Sequence, residues 1–575
     1  MQTERIFKVK EYKDMKELLY GSAEKYGDKE AFVIKHQENK KVEYENKSYK
    51  DLLEDVNEFG AGLFEIGLKG KRVAVIGKNR YEWAVAHLAN LLGGIICVPL
   101  DKDLQYEELE SSLIRSKADA IVFDEKLTDS MNALKENGKT NLKEYICMSK
   151  IDGFKSMKEI KELGEDKIES GDREYLDIKI DENELAILLF TSGTTAASKA
   201  VMLSQRNVAS NVYDLQSVED IRETDVNIAL LPFHHIFGST CMVFVLACGV
   251  KTVFADGLRY VKQNLAEYKV SMFVGVPLLV ESIYKAVNKE IEKQGKTKLI
   301  KVATKVSNFL LKFGIDLRRK VFKQVLDGLG GAIRFVIVGG APPDPKILKF
   351  FNDIGVTTLQ GFGLSETAPV VAAENHKVKK NGTVGYPMPS VTIEIVDKDD
   401  KGVGEIRAKG PNVMLGYYEM PEKTAEVLKD GWFYTGDLGY FDNKGRLVIT
   451  GRTKNLIVLK NGKKVFPEEL ETLVNRIDIV EESMVFGMPD KDDKNDVTLS
   501  VKAVYNKDIV FEKYGDKTEK EIYDILWNEI KELNTTFPQY KHIKKLILTD
   551  KELIKTTTKK VKRQEEMKII LNEEN

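Results

Sequence analysis

Short runs of aliphatic and β-branched residues recur along the chain, bounded by polar or glycine-rich turns: RVAVIGK (72–78), GIICVPL (94–100), ADAIVFD (118–124), ELAILLF (184–190), VNIALLP (226–232) and IRFVIVGG (333–340). Runs with no alternating polar position suit strands covered on both faces. Apolar positions at helical spacing lie between several of them, as in YEWAVAHLANLLGG and YEELESSLIRSKA. That alternation predicts an α/β fold of largely parallel, helix-covered sheets. The pattern changes after about Thr383. TIEIVDKDDKGVGEIRAKG predicts a hairpin, and RLVITGR with LIVLKNGKKVFP a further pair of strands. PEELETLVNRI predicts a helix, opened by Pro467 and two glutamates as a helix start favours. ESMVFGMPD and DVTLSVKAVYN predict strands, and EKEIYDILWNEIKELN an amphipathic helix. The expected architecture is a large N-terminal domain over 1–451, with mainly parallel sheets plus a β-rich portion. A small α+β domain over 452–575 follows it.

Composition narrows the classes. The 575 residues leave room for roughly two to four domains, and 42% hydrophobic with 31% charged residues is ordinary for a globular protein. A formal net charge of −2 gives no case for nucleic acid despite abundant lysine. Cys97, Cys147, Cys241 and Cys248 form no CxxC pair and sit in apolar surroundings, so reduced, mostly buried thiols are expected. The six histidines form no HExxH pattern. MQTERIFKVKEYKDMKELL is too charged for a signal peptide, and no apolar run reaches the length of a membrane span. The expectation is a cytoplasmic protein.

Candidate chemistry begins at LLFTSGTTAASKAVMLS (188–204). An apolar run ends at Phe190. Thr191, Ser192, Gly193, Thr194 and Thr195 follow, then Lys199: hydroxyls, backbone N–H groups and one ammonium, the chemistry of a phosphate loop. It is not a Walker A loop, since no GxxxxGK[ST] occurs. A helix over VMLSQRNVASNVYDLQ, with Ser204 as N-cap, is expected next. Further motifs come in order: GGAPP (339–343), GFGLSETAP (361–369), WFYTGDLGY (432–440), GRTKNLIV (451–458) and IKTTTKKVKR (554–563).

Together these motifs resemble the adenylate-forming enzymes: acyl-CoA synthetases, luciferases and peptide-synthetase adenylation domains. The resemblance spans nearly the whole chain, and the layout is most similar to bacterial long-chain fatty-acid–CoA ligases. It implies that a carboxylate attacks the α-phosphate of ATP to give acyl-AMP and pyrophosphate, and that CoA then takes the acyl group. Two anions must meet, so charge neutralisation should dominate the first step. By resemblance, residues 191–195 and Lys199 hold the β- and γ-phosphates. Ser365, where the family usually has Thr, donates to the α-phosphate. Glu366 ligates Mg²⁺, a hard ion suited to carboxylate and phosphate oxygens. Phe362, usually Tyr, stacks on adenine beside Gly363, and the backbone of Gly339, Gly340 and Ala341 lines the other side. Asp437 accepts from the ribose hydroxyls, although Gly436-Asp437 also suits a tight turn. Arg452 reaches ribose or phosphate.

Lys560 aligns with the adenylation lysine, with Lys555, Lys559 and Lys562 as neighbouring alternatives. The family's hinge falls at Lys454. A rotation of the small domain there would exchange the Lys560 tail for the loop Asn461-Gly462-Lys463-Lys464, whose lysines reach CoA phosphates or are plain surface lysines. LPFHHIFG (231–238) matches the acyl-pocket motif, with His235 as the family histidine and His234 its neighbour. MFVGVPLLV (272–280), around Gly275, reads as an alkyl channel or as any buried strand.

Other readings stay open on these residues. A fatty-acyl–AMP ligase omits CoA, and a non-catalytic acyl or nucleotide sensor would keep only the fold. A nucleophile-elbow hydrolase is excluded, because Gly363-Leu364-Ser365-Glu366-Thr367 lacks the closing glycine. A peptide-synthetase domain would be followed by a carrier domain, which is not expected after Asn575. Residues 282–329 read as a lysine-rich, solvated helical pair packed on the large domain, or as a peripheral contact with an anionic membrane on its inner face. Either a monomer or a homodimer is compatible. In the phosphate loop, Ala196, Ser198 and Ala200 replace the usual Gly, Pro and Gly. A Cβ in the left-handed region costs about 1–2 kcal/mol, so both alanines are expected at negative φ.

Overall fold

Strands that are apolar on both faces have to be covered on both faces, and the chain does this with two helix-covered sheets. The computed structural model describes residues 3–38, 41–191, 199–460, 462–489, 497–555 and 561–574. Among the described residues, one sheet has eight strands, with Ile96–Leu100, Arg72–Ile76, Ala120–Phe123 and Glu144–Cys147 as consecutive parallel neighbours. A second has nine, with Thr357–Gly363, Phe335–Val338, Met272–Gly275, Val226–Ala229 and Lys251–Phe254 parallel and side by side. An antiparallel sheet carries Thr392–Val396, Gly404–Lys409, Trp432–Phe441 and Leu447–Arg452. The predicted α/β fold is therefore present, and so is the hairpin Thr392–Val396 with Gly404–Lys409. Helix Tyr81–Leu92 is buried along its whole length, with Trp83 fully enclosed.

Two predicted elements differ. VMLS is not helical: Lys199–Ser204 is a strand antiparallel to Leu185–Thr191, and the helix runs Gln205–Val218. Ser204 is nevertheless its N-cap, closing a capping box with Asn207. The second concerns RLVITGR. Leu447–Arg452 pairs with Trp432–Phe441, while Ile457–Val458 pairs with Lys464–Val465. Both sequences are strands, but not with each other.

Beyond Arg452 a separate apolar cluster forms around Val465, Leu470, Val474, Val501, Leu526 and Ile530. Its strands Val480–Pro489, Val497–Tyr505 and Lys545–Thr549 make one sheet. Arg476 reaches back to Asp344, at 2.7 and 2.8 Å to its two oxygens. Asp344 directly follows GGAPP and caps helix Pro345–Asp353.

A buried carboxyl supports the strand Thr357–Gly363, and a second lies in its electrostatic reach. Glu374 accepts from the N–H groups of Gln360, at 3.1 Å, and Lys380. Burial raises its pKa to about 7. Burial first, then the charges of Glu374 and Asp220, push Glu219 well above the carboxylate range. A raised acid pKa favours folding while the proton is held. That stabilisation is complete below the ordinary value and is lost as pH rises through the folded pKa. Glu219→Gln removes the titration. It should leave the Tm near wild type at about pH 5 and raise it by about 2 °C or more at about pH 8. Thermal unfolding at both pH values checks this, and an equal effect at each would show that Glu219 is not the group responsible.

Candidate active site

Open parallel sheets bind ligands beyond the carboxyl ends of their strands. Here Val226–Ala229, Met272–Gly275, Phe335–Val338 and Thr357–Gly363 point the same way. They lead into LPFHH, Gly275-Val276, Gly339-Gly340-Ala341 and GFGLSE respectively. The N–H of Gly339 donates to Gly275 O at 3.1 Å. Val338 is paired with Gln360, so Gly339–Ala341 leave the sheet beside Gly361–Gly363, which stay paired with Val370–Ala373. Glycine is required most plainly at Gly363 and Gly340. A Cβ on Gly363 would lie 2.0 Å from the backbone O of Pro369, and Gly340 has φ +85. Gly340 and Ala341 are exposed, Phe362 is half-buried, and Gly275 is enclosed in the sheet.

After Gly363 the chain makes a tight loop with a single 3₁₀ turn, Ser365–Thr367. Its backbone is held from outside. Asn412 Nδ2 donates to Thr367 O at 2.8 Å and to Val370 O at 3.1 Å. Asn211 Nδ2 donates to Val370 O at 2.7 Å, and Met414 N to Glu366 O at 2.9 Å. Ser365 and Glu366 are half-buried. The Tyr417 hydroxyl donates to Glu366 Oε1 at 2.9 Å. Burial first and the Glu366 carboxylate second raise the Tyr417 pKa, so this hydroxyl stays a donor. Tyr417 belongs to the short strand Gly416–Tyr417, paired with Lys199–Ser204, and the Lys199 ammonium sits 4.5 Å above its ring. Neither Tyr417 nor Asn412 was foreseen. The PNVMLGYY run lacks a charged or glycine-spaced signature, and its role is visible only when it lies across the loop.

A second pair completes the cluster. Asp437 and Arg452 are partners across two antiparallel strands, with Nε 2.8 Å from Oδ1, and Asp437 is buried. Lys454 is exposed, yet its pKa is lowered, first by the protein around its ammonium and then by Arg452 and Lys199, against Asp437 and Glu366. Lys199, Arg452 and Lys454 thus share one electrostatic environment with Glu366 and Asp437. A group of cations of this kind beyond the strand ends suits a polyanion.

Thr191 faces Lys199 across the hairpin and donates to Lys199 O at 3.2 Å. Ala200 is in a strand and has no positive φ, as expected. Ser192, Gly193, Thr194, Thr195, Ala196, Asn461 and Lys560 lie outside the described residues. Gly462 is exposed with φ +74 in the turn between Ile457–Val458 and Lys464–Val465, and Lys463 lies 4.5 Å from the Tyr540 ring. His235 is half-buried at the start of helix Ile236–Ala247, and its ring centre is 4.4 Å from that of His234. His234 Nε2 is 3.2 Å from Asp101 Oδ2, and ligand atoms of all three residues lie within 4.8 Å of one another. Asp101 comes from the other large sheet, directly after Ile96–Leu100. Sequence spacing carries no signal for that meeting.

The fold and the gathered cations define an adenylate-forming type of enzyme. Residues 19–418 match the AMP-binding enzyme family and residues 454–570 the AMP-binding enzyme C-terminal domain. The chain belongs to the AMP-binding enzyme family. It is 28% identical to the chloroplastic long-chain-fatty-acid–[acyl-carrier-protein] ligase AEE15 of Arabidopsis thaliana, over 83% of this chain and 75% of that one. It is 28% identical to fatty acyl-CoA synthetase B of Dictyostelium discoideum, over 89% and 80%. Against the long-chain-fatty-acid–CoA ligase FadD15 of Mycobacterium tuberculosis the identity is 27%, over 74% and 72%. Among solved structures, the anthranilate CoA ligase AuaEII with anthranoyl-AMP superposes with a TM-score of 0.76 at 17% identity, covering 97% of both chains. ATP-bound MatB from Rhodopseudomonas palustris gives 0.72 at 23% identity, covering 97% of this chain and 99% of that one. These two likenesses concern the fold.

Tyr417→Phe keeps the ring under Lys199 and removes only the donor to Glu366. A hydrogen bond to a charged group is worth about 1.5–3 kcal/mol. The variant should therefore lose about that much stability, a fall in Tm of about 2 °C or more. Thermal unfolding tests this, and an unchanged Tm would show that the bond does not hold the Glu366 loop in place.

Proposed function

We propose that this protein is an ATP-dependent acyl-CoA synthetase acting on fatty acids, long chains included. The observation that carries the reading is the geometry that sets Lys199 over the Tyr417 ring, the Tyr417 hydroxyl on Glu366, and Arg452 on Asp437. In the first step a carboxylate oxygen forms a bond to the α-phosphorus, and the bond to the departing pyrophosphate breaks. The cations lower the cost of bringing the two anions together. Glu366 is a half-exposed carboxylate fixed by Tyr417, a donor that fits a hard cation. Mg²⁺ held there would neutralise phosphate charge. Gly339–Ala341 and Phe362 flank a slot suited to adenine, Asp437 and Arg452 serve the ribose side, and Ser365 faces the α-phosphate. In the second step the CoA sulfur bonds to the acyl carbon and AMP leaves with the electron pair.

The division at 451/452, a rotation about Lys454, and the role of Lys560 as the cation of the first step belong to the same proposal. His235 and the segment around Gly275 are assigned to the acyl side. Relatives named for CoA and for acyl carrier protein support fatty acid as the substrate class and leave two thiol acceptors to compare.

With ATP, Mg²⁺ and palmitate the protein should release pyrophosphate, and palmitoyl-CoA should accumulate when CoA is added. Glu366→Ala should lower pyrophosphate release by about 100-fold or more. A chain-length series with CoA, acyl carrier protein or no acceptor separates the readings. No pyrophosphate with any acid would end the enzyme reading, and pyrophosphate without a thioester would favour an acyl-AMP ligase.

The Arg476–Asp344 pair joins the segment beyond Lys454 to the nucleotide side. If rotation exchanges the two half-reactions, Arg476→Ala should shift single-turnover rates of adenylation and thioester formation in opposite directions, by several-fold. A parallel loss of both would show that the pair only stabilises the fold.

A further inference from the structure

Helices on a soluble protein bury their apolar stripe, and helix Pro277–Lys293 does so with Leu279, Val280, Ile283, Val287 and Ile291. The next helix, Thr297–Leu311, is turned the other way. Ser307 is its fully buried residue. Leu299, Val302, Val306, Phe309 and, one turn on, Phe313 are between 54% and 67% exposed. They are spaced three and four apart, so they form one continuous stripe on the solvent side. The Phe309 and Phe313 rings meet at 5.2 Å, and Ile315, Leu317 and Val321 extend the exposed apolar surface. An exposed stripe of this extent marks an interaction surface.

The charges around the stripe say what fits it. Residues 296–323 hold nine Lys and Arg against one Asp. Asp316 is taken by Arg318, and Arg319 donates to the carbonyls of Ile333, Gly331 and Gly355. Lys298, Lys301, Lys305, Lys312 and Lys320 are exposed and form no ion pair among the described residues. Lys298, Lys305 and Lys312 are seven apart and line one edge of the stripe. A second copy is poorly matched. In an antiparallel pair of these helices the same three lysines face one another. In a parallel pair they face Ala303 and Leu310, and neither arrangement supplies an opposite charge. A surface that is apolar inside and anionic outside satisfies stripe and lysines together.

We propose that helix Thr297–Leu311 and its extension to Val321 dock this protein on an anionic lipid bilayer, with the stripe in the acyl boundary and the lysines at the head groups. The inference rests on exposure and charge and is independent of the reaction. Its bearing on that reaction is positional: helix Pro277–Lys293 starts two residues after Gly275, so the docking face is joined to the segment assigned to the acyl side.

Vesicle flotation tests it, using phosphatidylcholine with and without phosphatidylglycerol, at low and high salt. Wild type should float with the anionic vesicles and stay behind with the neutral ones. At about 1 kcal/mol for each lysine near the surface, Lys298→Glu/Lys305→Glu/Lys312→Glu should weaken binding by on the order of 100-fold or more. Phe309→Ser/Phe313→Ser should abolish the part that survives high salt. Both variants change exposed side chains, so their pyrophosphate release with a short, water-soluble acid and no vesicles should stay within about twofold of wild type. Absence of flotation, or equal flotation with neutral vesicles, overturns the proposal. So does a stable dimer in solution that the Phe309→Ser/Phe313→Ser variant dissociates. Flotation without pyrophosphate release by any form would leave the docking face standing and refute the enzyme reading alone.

Discussion

A loop that carries Ser365 and Glu366 out from the end of an interior strand has to satisfy its own backbone in a place where water cannot do so. The requirement is met from three directions. Asn211 comes from helix Gln205–Val218, Asn412 and Met414 from the run that ends in Tyr417, and Thr367 bonds within the loop itself. Each amide that holds a carbonyl here does so under cover. Losing one would leave a buried acceptor unmatched, at about 1–3 kcal/mol. The position of the Glu366 carboxylate is therefore set by backbone accounting as much as by its own rotamer. The run that closes the backbone also delivers the Tyr417 hydroxyl to the carboxylate and the Tyr417 ring to Lys199.

That arrangement gathers charge that does not cancel within the protein. Lys199, Arg452 and Lys454 share their surroundings with two carboxylates, and the Lys454 pKa is lowered first by burial of its ammonium and only then by the neighbouring cations. An excess of cations opposes folding slightly and favours a polyanion strongly, because ligand phosphates supply the charge the protein withholds. Asp437 is part of the same logic. It is buried, it is strand partner to Arg452, and it aims that guanidinium as well as any ribose contact it makes. The turn role that Gly436-Asp437 suggests in sequence and the ligand role are thus compatible: Gly436 has φ +70, and the carboxylate still reaches Arg452.

Much of the fold was legible because both-face burial leaves an unmistakable run of apolar residues. RVAVI, AIVF and FVIV are strands where the pattern puts them. VMLS was misread because a four-residue apolar run beside a helix cap satisfies either period, and only pairing with Leu185–Thr191 decides it. RLVITGR and LIVLKNGKKVFP are strands as the pattern has it, but not partners of each other, because a strand's propensity does not name its neighbour. At the site, the compact motifs name Lys199, Glu366, Asp437 and Arg452, and Tyr417 links the first two as the strand pair links the others. Tyr417 and Asp101 were not legible, because each acts on a motif from a distant segment and neither belongs to a pattern of its own.

Residues 297–313 show what periodicity leaves undetermined. A stripe at three-and-four spacing establishes a helix and one apolar face, and it says nothing about which way that face turns. In Pro277–Lys293 the stripe joins the core: Leu279, Ile283 and Val287 belong to one apolar cluster with Phe273, Val336 and Val338 of the sheet. Leu348 and Phe351 of Pro345–Asp353 belong to the same cluster, and Thr297–Leu311 contributes only partly buried residues to it. The second helix meets the fold through Ser307 and the half-buried Ile300 and Ala303, a surface too small and polar to hold the stripe. An apolar face turned away from the core leaves apolar area in water, which the proposed bilayer contact would bury. The unpaired lysines on one edge then restrict that outside surface to an acidic one.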